Sequence, residues 1–173
     1  MWWRSPALIA VLFTGLAALA LGGCGFQPLY GGTTAGGAKL AEVMAAVDIT
    51  PIPGRVGQKL RNELIFTNTG GGYAAPARYK LDIAIKESVT DQLVEITGDA
   101  TGQVYQIEAS FKLVDSSNGR EVLQGKAISR AAYNRFQEIF ANVRARYDAE
   151  NRAARMISES IKTQVAAFLS NAA

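Results

Sequence analysis

The sequence has no histidine and one cysteine, and these two shortages remove a large share of enzyme chemistry. Without imidazole there is no Ser-His-Asp or Cys-His nucleophile system and no histidine general base. The usual zinc sites, which mix His with Cys or carboxylate, are also excluded. One thiol forms neither an internal disulfide nor a CxxC redox pair. A block of like charge is missing too: 18 Lys and Arg against 15 Asp and Glu leave a net charge of +3 spread along 173 residues. That spread makes no electrostatic footprint for a nucleic acid. What remains is 49% hydrophobic and 19% charged, the balance of one globular domain rather than a disordered chain.

The first residues read as a processing signal. Met1-Trp2-Trp3-Arg4 gives a short positive start, Ala7 to Leu21 is apolar, and Leu21-Gly22-Gly23-Cys24 closes the segment. At ~1.5 Å per residue the apolar stretch covers roughly 22 Å, short of the ~30 Å hydrocarbon core, so it suits a cleaved signal better than a membrane span. Leu-x-Gly before a lone Cys resembles the bacterial lipobox. In that motif the thiol takes a diacylglyceryl group, the chain is cut between Gly23 and Cys24, and the new amine is acylated. Several acyl chains at ~0.8 kcal/mol per buried CH₂ tether a protein almost permanently. Gly25 stands where an inner-membrane-retained lipoprotein typically has Asp, so the sorting rule points to the outer membrane. Loss of residues 1 to 23 leaves 150 residues, the size of one domain.

From Cys24 to Lys39 the chain is glycine-rich and reads as a flexible acylated tether, with a single domain from residue 40 to 173. Ala46 to Ile52 reads as a strand ended by Pro53-Gly54. Val56, Leu60 and Leu64 then recur at helical spacing until Gly70-Gly71-Gly72. From Tyr79 the period changes to two: Tyr79, Leu81, Ile83 and Ile85 alternate with Lys80, Asp82, Ala84 and Lys86. Leu93 to Ile96 continues this strand past a bend near Asp91. Tyr105, Ile107, Ala109, Phe111 and Leu113 mark the next strand, and Arg120 to Ala131 the last, joined through turns into an antiparallel meander. After Gly125 there is no Gly or Pro, and Phe136, Phe140, Val143, Tyr147, Ala154, Ile157, Ile161, Val165 and Phe168 predict a helix covering much of 136–169, bent or frayed near Tyr147-Asp148. At ~50 Å it outruns such a sheet, so part of it overhangs, where a partner could touch it. The order β-α-β-β-β-α predicts an α+β fold, two helices on one face of a four-stranded mixed sheet, with the other face exposed.

Catalytic motifs are weak. Gly119 to Ala127 has two glycines with five residues between them where a phosphate-binding loop has four, and Ala127 lacks the hydroxyl that holds magnesium. There is no GxSxG and no Ser followed at three residues by Lys. The expectation is therefore a non-enzyme without metal or cofactor. Lys80, Lys86, Lys112 and Lys126, with Arg120 and Arg130 nearby, fall on neighbouring strands of the polar face. An anionic ligand with phosphates and apolar chains could meet several of them there, although a solvated charged face is the simpler account.

Three segments carry a wider resemblance: Cys24-Gly25-Phe26-Gln27-Pro28-Leu29-Tyr30-Gly31, Arg55-Val56-Gly57-Gln58-Lys59-Leu60-Arg61-Asn62-Glu63-Leu64, and Ala131-Ala132-Tyr133-Asn134-Arg135-Phe136. With the element order, they resemble the outer-membrane lipopolysaccharide-assembly lipoproteins of the LptE family. The resemblance implies a non-catalytic partner subunit. It would sit on the periplasmic side of the outer membrane and within the LptD β-barrel, help that barrel fold, and bind lipopolysaccharide. An accessory lipoprotein of another envelope lipid-transport complex, or a tethered periplasmic enzyme, stays open as an alternative.

Overall fold

A computed structural model describes residues 33–34, 36–94 and 100–172. The signal peptide, the Gly23/Cys24 cleavage and lipid-attachment positions, and the tether up to Gly32 lie outside the described residues. From Thr33 onward the chain makes a hydrogen-bonded turn: Thr33 bridges Lys39, and the buried Thr34 bonds Ala38 through both its backbone and its hydroxyl.

Seven elements follow. They are α1 (Leu40–Ala45), β1 (Val47–Ile49), α2 (Gly54–Thr69), β2 (Tyr79–Val94), β3 (Ala100–Asp115), β4 (Glu121–Asn134) and α3 (Ile139–Ala172). The expected α+β layout is present, with the sheet ordered β1-β2-β3-β4, β1 parallel to β2 and the remaining pairs antiparallel. Helix α1 is an addition to the expected order. Its Leu40, Val43 and Met44 share one stripe and are buried against α2 and α3, a contact the six-residue segment could not announce by periodicity.

The ends of the elements follow local chemistry. Pro53 precedes α2, and Gly70 ends it in the left-handed region at φ 61°, so that the N–H of Gly71 bonds the carbonyl of Phe66. β2 passes Asp91 without a bend and keeps unbroken register with β3 from Tyr79 to Gln92. β4 reaches Asn134, three residues beyond the expected limit. The long helix also departs from expectation. It starts at Ile139, because the side-chain amide of Asn142 accepts from the N–H and donates to the carbonyl of Phe136, holding that residue outside the helix. It then runs unbroken through Tyr147-Asp148, where the i,i+4 pairs Arg146–Glu150 and Asp148–Arg152 brace the turns.

The core lies between sheet and helices. Leu81, Ile83, Tyr105, Ile107, Phe111 and Leu113 from the sheet meet Leu60 and Leu64 of α2 and Ala153, Ile157, Ile161 and Leu169 of α3. Burial on α3 begins only at Ala149. Phe136, Ile139, Phe140, Val143 and Tyr147, before or within its first turns, are exposed, so the expected overhang is the N-terminal end of this helix.

Candidate functional site

Register places the side chains of the open face in rows across β2, β3 and β4. Asp82, Lys112 and Gln124 form one row, followed by Ala84, Ser110 and Lys126, then Lys86, Glu108 and Ile128, then Ser88, Gln106 and Arg130. Lys80 lies one row before the first. The structure thus brings Lys80, Lys86, Lys112, Lys126 and Arg130 onto one exposed face, as strand parity predicts. Arg120 lies outside the strands, in the β3–β4 turn, with its N–H bonded to the side chain of Asn118.

These cations do not converge. Five rows at about 6.8 Å per two residues spread them over roughly 27 Å. Carboxylates are interleaved: Lys112 Nζ is 2.8 Å from Glu121, Lys80 Nζ is 3.6 Å from Asp82, and Lys86 stands opposite Glu108. Arg130 donates through Nε to Gln106 at 2.6 Å. Lys112 is a diagonal neighbour of Lys126 across β3–β4 and of Lys80 across β2–β3. Beside Arg130 a shallow depression of about 510 Å³ is lined by Thr90, Gln92, Val104, Gln106 and Ala132.

A second constellation lies on the helix-covered side, and sequence reasoning missed it. Glu150 of α3 is 5% exposed and its carboxylate is shared by two guanidinium groups, Arg55 from the start of α2 and Arg146 one turn earlier on α3 at 2.9 Å. Arg55 also lies over the Tyr147 ring, 4.4 Å from its centroid, and donates to Asn151. Arg55, Arg146, Tyr147 and Glu150, with Val56, Val143 and Glu87, line a cleft of about 410 Å³. Beneath it the fully buried Tyr105 donates its hydroxyl to Glu87 at 2.6 Å. Burial first, and that carboxylate second, raise the phenol pKa well above its ordinary value. Signs and partners balance within this cluster, so it ties α2, α3 and β2 together. The sequence signal was Glu150 itself: it sits three residues after Tyr147 and four before Ala154, a carboxylate on the apolar stripe.

Among the described residues no group of three or more Cys, Asp or Glu could hold a metal, and no helix is long and apolar enough to cross a membrane. At the turn after β3, Asp115 accepts from the Ser117 hydroxyl and N–H at 2.7 and 2.8 Å, and these bonds lower its pKa.

No family model and no curated protein matches the sequence. Among solved structures, however, this arrangement of sheet and helices is one found in bacterial lipoproteins. A candidate lipoprotein from Caulobacter crescentus superposes with a TM-score of 0.62 at 24% identity, over 76% of this chain and 96% of that one. Lipoprotein B from Nitrosomonas europaea superposes with a TM-score of 0.55 at 16% identity, over 72% and 83%. At these identities the likeness establishes the shared fold.

Proposed function

We propose that this chain is a lipid-anchored, non-catalytic subunit of the outer membrane that partners an LptD-type β-barrel and binds lipopolysaccharide during its transport to the cell surface. The observation that carries the reading is the combination of a lipobox at Leu21-Gly22-Gly23-Cys24 with a fold shared over 96% of a candidate lipoprotein's length. Cys24 carries the acyl groups. The Cys-Gly-Phe-Gln-Pro-Leu-Tyr run supports the LptE-like assignment over a generic anchor. A broad open face of alternating cations and carboxylates suits a subunit that sits against a polar barrel interior, and the Lys112–Lys126 diagonal is the place on it for a phosphate of the ligand.

The test is affinity isolation of the acylated full chain from detergent-solubilised membranes, followed by identification of what comes with it. A co-purifying outer-membrane β-barrel is the expected result. An inner-membrane ATPase assembly in its place would transfer the chain to a different lipid-transport complex. In parallel, Cys24→Ser should leave the precursor uncut and unlipidated, read by its mass and by loss of acyl label.

A further inference from the structure

The connection from α2 to β2 is exposed and carries no charge. Phe66 to Ala77 contains no Asp, Glu, Lys or Arg. Gly70 to Ala74, Pro76 and Ala77 are exposed, Tyr73 completely so. Phe66 is 63% exposed, and a Cβ at Gly71 would meet its ring at 3.2 Å, so the two belong to one surface. An exposed uncharged patch of this kind marks an interaction site. The chain enters the domain at the same end. Thr34 is buried and bonded to Ala38, Lys39 leads into α1, and Leu40, Ala41 and Met44 of α1 line one depression with Thr67 to Gly70. The return of the loop is pinned there too, because Ala75 and Arg78 donate their N–H groups to the carbonyls of Ala45 and Ala46. Exposed cations border the patch. Ser116 donates to the Arg78 carbonyl, which brings the turn that holds Arg120 beside Arg78. The carboxylates nearby are engaged: Glu42 lies 3.8 Å from Lys39, and Asp115 accepts from Ser117.

We propose that this loop, led by Tyr73, beds into the headgroup layer of the bilayer that holds the acyl anchor. The observation that selects a lipid surface is the length of chain between anchor and domain. Cys24 precedes Thr33 by nine residues, at most ~31 Å of extended chain, so a bilayer that takes the acyl groups lies within that reach of this end. The other exposed aromatic patch is at the far end. Lys162 of α3 lines the same depression as α1, and Phe140 lies 22 residues earlier, ~33 Å along the helix. The uncharged loop is thus the apolar surface that the tether offers to lipid. Its composition fits that place. Tyrosine joins an apolar ring to a hydroxyl and is enriched at membrane interfaces, and the Gly and Ala around it bring no charge that must be desolvated. Arg78 and Arg120 stand where the phosphates of phospholipid headgroups would meet them. The contact orients the domain, with β2, β3 and β4 rising from the bilayer and the end of α3 that carries Phe140 farthest from it. The proposal rests on lipid attachment at Cys24 and does not depend on the barrel partnership.

Fluorescence gives the test. Trp2 and Trp3 are the only tryptophans and both precede Cys24, so Tyr73→Trp gives the processed chain a single reporter. The processed, acylated chain is reconstituted in vesicles of phosphatidylethanolamine and phosphatidylglycerol, with and without lipids brominated near the top of the acyl chains. The emission of Tyr73→Trp should shift to the blue and fall roughly twofold with the brominated lipid, as interfacial depth requires. Phe140→Trp, at a position 75% exposed on the far end, should keep a water-like emission and stay unquenched. If Tyr73→Trp alters the circular dichroism spectrum, Ala74→Trp reads the same loop. An unquenched loop tryptophan or equal quenching of Phe140→Trp would overturn the proposal. A blue shift without bromine quenching, which is cover by protein rather than lipid, would overturn it as well. A chain whose mass shows no acyl groups removes both this contact and the anchor, whereas an acylated chain with an unquenched loop removes the contact alone. Whether a barrel co-purifies is read separately.

Discussion

Glu150 shows how a charged residue can sit at a core position without being orphaned there. Its carboxylate is buried, but the guanidinium groups that share it are about half exposed, Arg55 at 44% and Arg146 at 54% of side-chain surface. Glu150→Ala leaves both cations in contact with water. The expected loss is therefore about 1–2 kcal/mol, less than the 3–5 that follows when a fully buried pair is broken, and urea denaturation measures it. Tyr105 gives a pH-dependent counterpart. Its phenol pKa is raised in the folded chain by burial and by the Glu87 carboxylate, so the folded state holds this proton more tightly than the unfolded state. The contribution is complete below the unfolded value of about 10 and is lost as pH rises above it. Denaturation midpoints should fall above that pH in the native chain, and Tyr105→Phe should flatten this part of the curve. At Gly125 the constraint is space: a Cβ there would lie 2.3 Å from Cζ of the buried Phe111 ring and 2.8 Å from Gln164 Oε1. Gly125→Ala should cost about 1–3 kcal/mol, seen as a lowered denaturation midpoint.

The elements differ in how much of their structure is written into local pattern. Helix α3 has a clear 3.6 period, and it was legible as a helix long enough to outrun the sheet. What periodicity could not tell is which end overhangs, since Phe140, Val143 and Tyr147 continue the stripe of Ile157 and Ile161, yet Phe140 is exposed and Val143 and Tyr147 only border the cleft beside Glu87. This difference makes a paired prediction. Ile157 is fully buried, so Ile157→Ala should cost about 2–5 kcal/mol, whereas Phe140 is 75% exposed and Phe140→Ala should stay within ~0.5 kcal/mol of the native chain. Thermal or urea unfolding of the two variants side by side decides it; a large loss from Phe140→Ala would mean that the overhang packs on something. α1 was the obscure element for the opposite reason: six residues are too few to display a period, and its position is fixed by contacts with α2 and α3 that are distant in sequence. β1, read as a strand over 46–52, forms as one over Val47–Ile49. The strands β2, β3 and β4 alternate over enough residues that their faces could be assigned from sequence alone, and register confirms each assignment.

At the scale of the whole molecule, strand parity put the five cations on one surface, but only register reveals what stands between them. Sequence alternation assigns a face and says nothing about row order, so the interleaving of Asp82, Glu108 and Glu121 among Lys80, Lys86, Lys112 and Lys126 was hidden. That order governs how an anionic amphiphile would be held. Counting Arg130, and Asp48 of β1 opposite Lys80, the face carries one more positive than negative charge, spread over five rows, so long-range attraction is modest and binding depends on local geometry. Lys112 is partly neutralised by Glu121, and replacing it with Glu would set a second carboxylate beside Glu121 and remove the lysine common to both diagonals, Lys80–Lys112 and Lys112–Lys126, where two ammonium groups can reach a single phosphate. The double change Lys112→Glu and Lys126→Glu should therefore weaken lipopolysaccharide binding at low salt by at least tenfold, while Arg120→Glu, off the rows in the turn, should change it little. Binding isotherms for the native chain and both variants at low and raised ionic strength measure this. Equal affinity for the native and doubly substituted chains at low salt would move the ligand off the open face and leave the barrel partnership as a separate question.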